Sequence, residues 1–391
     1  MRKFYFAFIL SIIASGAFAE FTTDAKSAFL IDYDSGAEIV AKNADVLMPP
    51  SSMIKLMTLT VLFDEIRAGR VKLDDRFPVS DNADYQNPLW YPASKICLSA
   101  GQTVSVRDLI LGLIVLSGGD ASVVVAEKLA GNENAFTKMM HDKAVSIGME
   151  KSSFGNASGL PNPNNLMTSR ELAILATHII SDYPDLYPMF ATKRFEFNEY
   201  QSDWCRGGGK AHTVNYSKLL FIMPGADGLK TGHTDDGGYG IVASATSGGR
   251  RLIGVMNGFR GRGHDALAAE MKKMLNHGFS TTMNKVFYRP GDEVAKIPTW
   301  YGRDEFVMAT VVKPFAVTVP KSDGLSDIRV VAMYESPLAA PIYSGDKIGK
   351  LIATKNGRKI ATADLVARDT VKRVQLFRRV WRNIMVLIGR I

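Results

Sequence analysis

Cysteine is nearly absent from this chain: only Cys97 and Cys205 occur among 391 residues. That excludes a disulfide framework, and no Cys/His spacing fits a zinc site. The two thiols are open either to pairing, which an oxidising compartment permits, or to standing as free, buried cysteines. Histidine is equally sparse. The six residues at 141, 178, 212, 233, 264 and 277 form no HExxH pair or similar cluster, so neither a metal nor a cofactor is expected.

Long apolar runs are missing too. Phe4–Ile13 is too short to span a bilayer comfortably. It follows Arg2 and Lys3 and precedes Ala17-Phe18-Ala19, a small-x-small site, so residues 1–19 read as a secretory signal removed after Ala19. Acidic residues are lacking from the last 22 positions, which carry Lys372, Arg373, Arg378, Arg379, Arg382 and Arg390. These six and the two basic residues of the leader account for the whole formal charge of +8, leaving residues 20–369 neutral. The basic balance therefore implies no nucleic-acid partner. It marks the two ends of the chain.

The C-terminal end has a pattern of its own. Phe377, Val380, Trp381, Ile384, Leu387, Ile388 and Ile391 fall at helical spacing on one face, with Arg378, Arg379 and Arg382 towards the other. Residues 369–391 are thus expected to form an amphipathic helix that lies in the interface of an anionic membrane surface.

A chain of this length suggests two or three domains. Ala28–Asp32 and Ala37–Val40 read as strands around the turn Asp34-Ser-Gly36. Pro49-Pro50 breaks the chain, and Ser51 or Ser52 is placed to cap a helix running through Leu56, Leu59, Leu62 and Ile66. Further helices are expected from near Val106 to Ser117, from about Asp120, after the capping box Thr168-Ser-Arg-Glu171, and over residues 266–276. Leu229–Gly232 and Tyr239–Ala245 read as strands joined by a Gly-rich turn. The fold class is α+β, with helices around an antiparallel sheet in one large domain, residues 20–284. From there the text changes to short apolar runs between turns, among them Phe306–Val312, Phe315–Val319, Ile328–Tyr334 and the Asn356-Gly357 hairpin. Residues 285–368 are expected to form a small all-β domain.

Three short motifs carry chemistry. In Ser52-Met-Ile-Lys55 the two polar residues share one helix face, so a lysine amine made neutral by burial can take the serine proton. Ser117-Gly-Gly119, between two helices, offers a hydroxyl that can relay a proton. Lys230-Thr-Gly232-His233-Thr234 sits on a strand. There Lys230 puts a positive charge in the cleft, the Thr231 and Thr234 hydroxyls can hold a substrate carboxylate, and Gly232 permits close backbone approach. Each motif alone is common; the three in this order are not.

With these motifs, and with Asn156-Ala-Ser-Gly-Leu160, Thr168–Leu172, Asp227–Asp235 and Val242–Thr246, the chain resembles the low-molecular-mass penicillin-binding proteins, the serine-type D-alanyl-D-alanine carboxypeptidases. The resemblance implies a penicillin-recognising, transpeptidase-like domain. It implies a peptidoglycan stem peptide as substrate and β-lactam antibiotics as acylating ligands, and it implies a site at the periplasmic face of the inner membrane. Ser52 becomes the nucleophile, Lys55 the general base and Ser117 the proton relay. Lys230 becomes the electrostatic partner and Thr231 a substrate ligand, with the backbone N–H groups of Ser52 and His233 as the oxyanion hole. A β-lactamase-like hydrolase, or a catalytically weak wall-associated protein, are the alternative readings. Two departures bear on the latter. The family's second motif usually ends in Asn, where Gly119 stands, leaving a water or Asp120 to fill the amide's role; restoring Asn there is expected to raise activity. An arginine that often receives the substrate's terminal carboxylate aligns with Leu267, leaving Arg260 or Arg262 as substitutes.

Overall fold

The computed structural model describes residues 20–90, 93–199 and 213–374. They fall in two compact units that divide between Ser280 and Thr281.

In the first unit, β1 (Ser27–Asp32) and β2 (Glu38–Lys42) form the expected hairpin. Asp32 holds its turn by accepting from the Ser35 amide and hydroxyl, both at 3.0 Å. Next come α1 (Lys55–Arg67), a ribbon of β3 (Arg76–Pro78) and β4 (Thr103–Ser105), and four helices: α2 (Val106–Val115), α3 (Gly119–Ala130), α4 (Glu133–Ser146) and α5 (Ser169–Asp182). After the one-turn α6 (Leu219–Ile222), β5 (Ala226–Thr234), β6 (Gly238–Ser247) and β7 (Arg250–Phe259) complete the sheet, and α7 (Gly263–Thr281) closes the unit. The sheet is antiparallel in the order β2-β1-β7-β6-β5.

The period of two along each strand separates two cores. Phe29, Val242, Ile253 and Val255 face the large helical cluster built on α1, α2, α3 and α5. Their neighbours Ala28, Leu30, Ile241, Ala243 and Leu252 face the other way, against Leu267, Met271, Met274 and Leu275 of α7. Helix α1 is buried on nearly every side, with Leu56, Leu59 and Leu62 fully inside; truncating one of them to alanine costs about 2–5 kcal/mol. Thr168 caps α5 as expected, accepting from the Glu171 amide at 3.0 Å. The Glu171 carboxylate does not reach back to complete the box. It takes the Lys151 amide at 2.8 Å and the Ser152 hydroxyl at 2.6 Å instead.

The second unit is all-β. It contains β8 (Thr282–Tyr288), β9 (Ala295–Trp300), β10 (Phe306–Val311), β11 (Phe315–Pro320), β12 (Ile328–Tyr334), β13 (Leu338–Ala339), β14 (Lys347–Lys355) and β15 (Arg358–Ala367). Six of these make a sheet in the order β12-β14-β15-β10-β9-β13, and β11 pairs with β8. At the β14–β15 turn, Asn356 and Gly357 have φ of 50° and 76°, the left-handed pair that a two-residue hairpin demands. The expected C-terminal helix does not begin at 369. Val371 exchanges backbone hydrogen bonds with Ile342, and Val371 and Val374 are buried, so residues 371–374 are bridged into the β unit. The rest of that segment, and the leader, lie outside the described residues. Among the described residues no helix is long and apolar enough to cross a membrane.

Candidate active site

The chain enters α1 through a single 3-10 turn, Ser51–Ile54, after Ser51 adopts φ 49°. Neither Ser51 nor Ser52 caps the helix with its side chain, contrary to expectation. Both hydroxyls are used in tertiary contacts. That of Ser51 lies 3.0 Å from the Thr234 hydroxyl, and that of Ser52 accepts from Lys55 Nζ at 2.9 Å. Lys55 is only 2% exposed, and its amine also donates to the Ser158 carbonyl. Burial lowers its pKa to about 7, against the opposing pull of the Asp120 carboxylate. A half-neutral amine in contact with a serine hydroxyl is an activated nucleophile's arrangement.

Ser117 lies between α2 and α3 with φ 58° and is buried. Its hydroxyl accepts from Lys230 Nζ at 3.0 Å, and the same amine donates to the Thr231 carbonyl at 2.9 Å. Lys230 is 1% exposed; burial first, and the Lys55 charge second, push its amine well below the ordinary lysine range. Burial and proximity thus disfavour the charged form of both amines. Contact separates the two amines: Lys55 meets Ser52, whereas Lys230 meets Ser117.

Strand β5 brings the third motif alongside the nucleophile. A Cβ on Gly232 would lie 2.8 Å from the Pro50 carbonyl oxygen and 3.0 Å from the Ser52 nitrogen, so only glycine lets the strand run so close to that amide. Ser52, Lys55, Ser117, Thr231, Gly232, His233 and Thr234 line one cleft of about 620 Å3. Lys230 lies beneath it. The structure thus brings all the predicted site residues together.

The substitutes suggested for the two departures fare differently. Asp120 is fully buried and accepts from the amides of Ile96, Cys97 and Leu98 at 2.8–3.2 Å, so it is engaged with that loop and is not free to stand in for an amide. Leu267 is packed in the core beneath the sheet. Arg260 and Arg262 are exposed and do not line the cleft. The residue that does so from this region is His264, which sequence reasoning missed. Its ring lies 5.1 Å from that of Tyr216 and 5.2 Å from that of Tyr239, and its Nδ1 is buried with no partner. Burial, Lys230, His233 and Lys218 hold its pKa down at about 4, with Asp265 opposing. Ser158 was also missed as a ligand of Lys55, although the segment containing it had been singled out. Cys97 is disulfide-bonded, and Cys205, the chain's other cysteine, lies outside the described residues.

Comparison with known proteins accords with this geometry. A D-alanyl-D-alanine carboxypeptidase family model matches residues 14–260, and a model of the penicillin-binding protein 5 C-terminal domain matches residues 283–373. The chain is 32% identical over 395 residues to D-alanyl-D-alanine carboxypeptidase DacA of Haemophilus influenzae, covering 96% of this chain and 95% of that one. It is 32% identical over 362 residues to DacA of Escherichia coli K12, covering 91% and 86%. The solved structure of penicillin binding protein 5 from Haemophilus influenzae is similar with a TM-score of 0.79 at 31% identity, over 91% of this chain and 99% of that one. Motif order, cleft geometry and similarity along nearly the whole chain agree: this chain belongs to the D-alanyl-D-alanine carboxypeptidase family of low-molecular-mass penicillin-binding proteins.

Proposed function

We propose that the protein is a serine D-alanyl-D-alanine carboxypeptidase that removes the terminal D-alanine from peptidoglycan stem peptides through an acyl-enzyme on Ser52. The observation that carries this reading is the 2.9 Å contact between Ser52 Oγ and a Lys55 amine whose basicity burial has lowered to about 7. Neutral Lys55 takes the Ser52 proton as Oγ attacks the carbonyl carbon of the scissile D-Ala–D-Ala peptide bond. The resulting oxyanion sits between the backbone N–H groups of Ser52 and His233. The C–N bond then breaks, and the leaving amine of D-alanine receives its proton through Ser117. Water hydrolyses the ester and regenerates Ser52. A β-lactam follows the same first step, with its ring amide opening in place of the peptide bond.

The substrate carboxylate falls to Thr231, Thr234 and the Lys230 amine. An arriving anion stabilises the charged form of that amine, which burial and the Lys55 charge disfavour. Residues 1–19 act as an export signal, and the basic amphipathic tail holds the enzyme on the periplasmic face of the inner membrane. The sequence patterns at both ends support this placement.

Labelling with a fluorescent penicillin, followed by mass spectrometry, tests the chemistry. An adduct on Ser52, together with D-alanine release from a peptide ending in D-Ala-D-Ala, is expected. An adduct elsewhere, or penicillin turnover without peptide cleavage, overturns it.

A further inference from the structure

The second motif is held from one side by a loop that the proposed mechanism leaves unused. Trp90 ends a short turn, Pro88–Trp90, next to Leu89, which is exposed and lines the cleft. Trp90 itself is fully buried. Its indole N–H donates to the Asn82 carbonyl at 3.2 Å, and its own carbonyl accepts from Lys95 Nζ at 3.1 Å. The ring reaches Gly119. A Cβ there would sit 2.6 Å from Trp90 Cζ3 and 3.0 Å from Cε3. Gly119 starts α3 and lacks a positive φ, so its backbone conformation suits any residue; the ring is what a Cβ would collide with, the Ser94 carbonyl oxygen standing farther off at 3.4 Å. The same loop grips the turn at further points. The Gly119 amide donates to the Ser94 carbonyl at 2.8 Å, and Ile96 packs over Gly118, where a Cβ would come within 2.9 Å. On the opposite side of this turn, Ser117 holds its left-handed conformation in contact with Lys230. A non-glycine residue keeps that conformation only where its surroundings over-determine it.

We infer that Trp90 is a positioning residue of the active site: its indole fills the volume of a residue-119 side chain and holds the Ser117–Gly119 turn where Ser117 meets Lys230. Positions 90 and 119 then share one space, filled here from the loop. An asparagine at 119 therefore does not restore a missing amide. It displaces the ring and moves Ser117, reversing the gain expected from sequence.

The test is a size swap between positions 90 and 119, with the Trp90→Phe single variant accounting for the indole N–H that Asn82 loses. Gly119→Ala adds one methyl against the ring and is expected to slow acylation by a fluorescent penicillin about tenfold or more, as a catalytic group is displaced. Trp90→Phe removes the fused second ring and should cost less. Combined, they should acylate faster than Gly119→Ala alone, with a higher melting midpoint than that variant. Rates are taken well below every midpoint, so a purely structural role would lower the midpoints and leave the rates alone. The inference rests on acylation at Ser52, and the wild type run alongside separates the two: an unlabelled wild type counts against the acyl-enzyme. Acylation of Gly119→Ala within about twofold of wild type, or a double variant whose midpoint and rate both equal the additive combination of the single effects, overturns the role of Trp90.

Discussion

Two glycines border the same cleft, and each is there to admit a neighbour. At Gly232 the neighbour is backbone: the Pro50 carbonyl and the amides of Ser52 and Met53. At Gly119 it is the side chain of Trp90. The difference decides what evolution or engineering can do at each place. Backbone crowding cannot be relieved by a substitution elsewhere, because every residue has the same main chain. Crowding by a side chain can be relieved by shrinking that side chain. The third motif is therefore constrained absolutely by its own geometry, whereas the second is constrained only jointly with position 90.

The contrast is sharpest when set against loss of the chemistry itself. Lys55→Arg keeps a cation on α1 but cannot deprotonate, and should slow penicillin acylation by about 10²–10⁴-fold. Near-normal stopped-flow acylation by that variant would remove Lys55 from the base role. Gly232→Ala should come next, with a loss of about 10²–10³-fold, because strand β5 would be pushed off the Ser52 amide, which in the proposed mechanism stabilises the oxyanion. No single side-chain truncation around it should restore the rate. A second-site truncation that did so would erase the distinction drawn between the two glycines.

A smaller effect is expected from pH. Lys55 has its pKa lowered to about 7, so its amine is neutral above that pH and charged below. Acylation should fall as pH drops, by about tenfold from pH 8 to pH 6, with the midpoint near 7. His264, held down at about 4, stays neutral across that range and should add no second step. A profile that rises towards acid would contradict the assignment. The smallest effect on chemistry should follow deletion of residues 375–391. Hydrolysis of a small D-Ala-D-Ala peptide should be unchanged, while sedimentation with anionic vesicles is lost. Retained sedimentation would show that something other than the tail holds the membrane.

Much of the site was legible because its signals are local. The Ser52–Lys55 spacing, the Thr168 cap and the Asn356-Gly357 turn each depend on residues a few positions apart, and the structure contains all three. The hydroxyl of Ser51 was misread because a serine beside a helix start has two uses. Its actual partner, Thr234, is 183 positions away. The tail pattern began too early for a related reason. Val371 suits a helix face and a β bridge equally, and its pairing with Ile342 is invisible in the local text.

Side-chain type and short-range order were enough to name a serine, two lysines and a second hydroxyl as an acyl-transfer set, since the chemistry requires those groups whatever surrounds them. Which amine touches which hydroxyl, how far burial lowers each, and why residue 119 has no side chain required the packed chain. Desolvation and excluded volume arise only when segments distant in sequence meet, as Trp90 meets Gly119 and Ser158 meets Lys55.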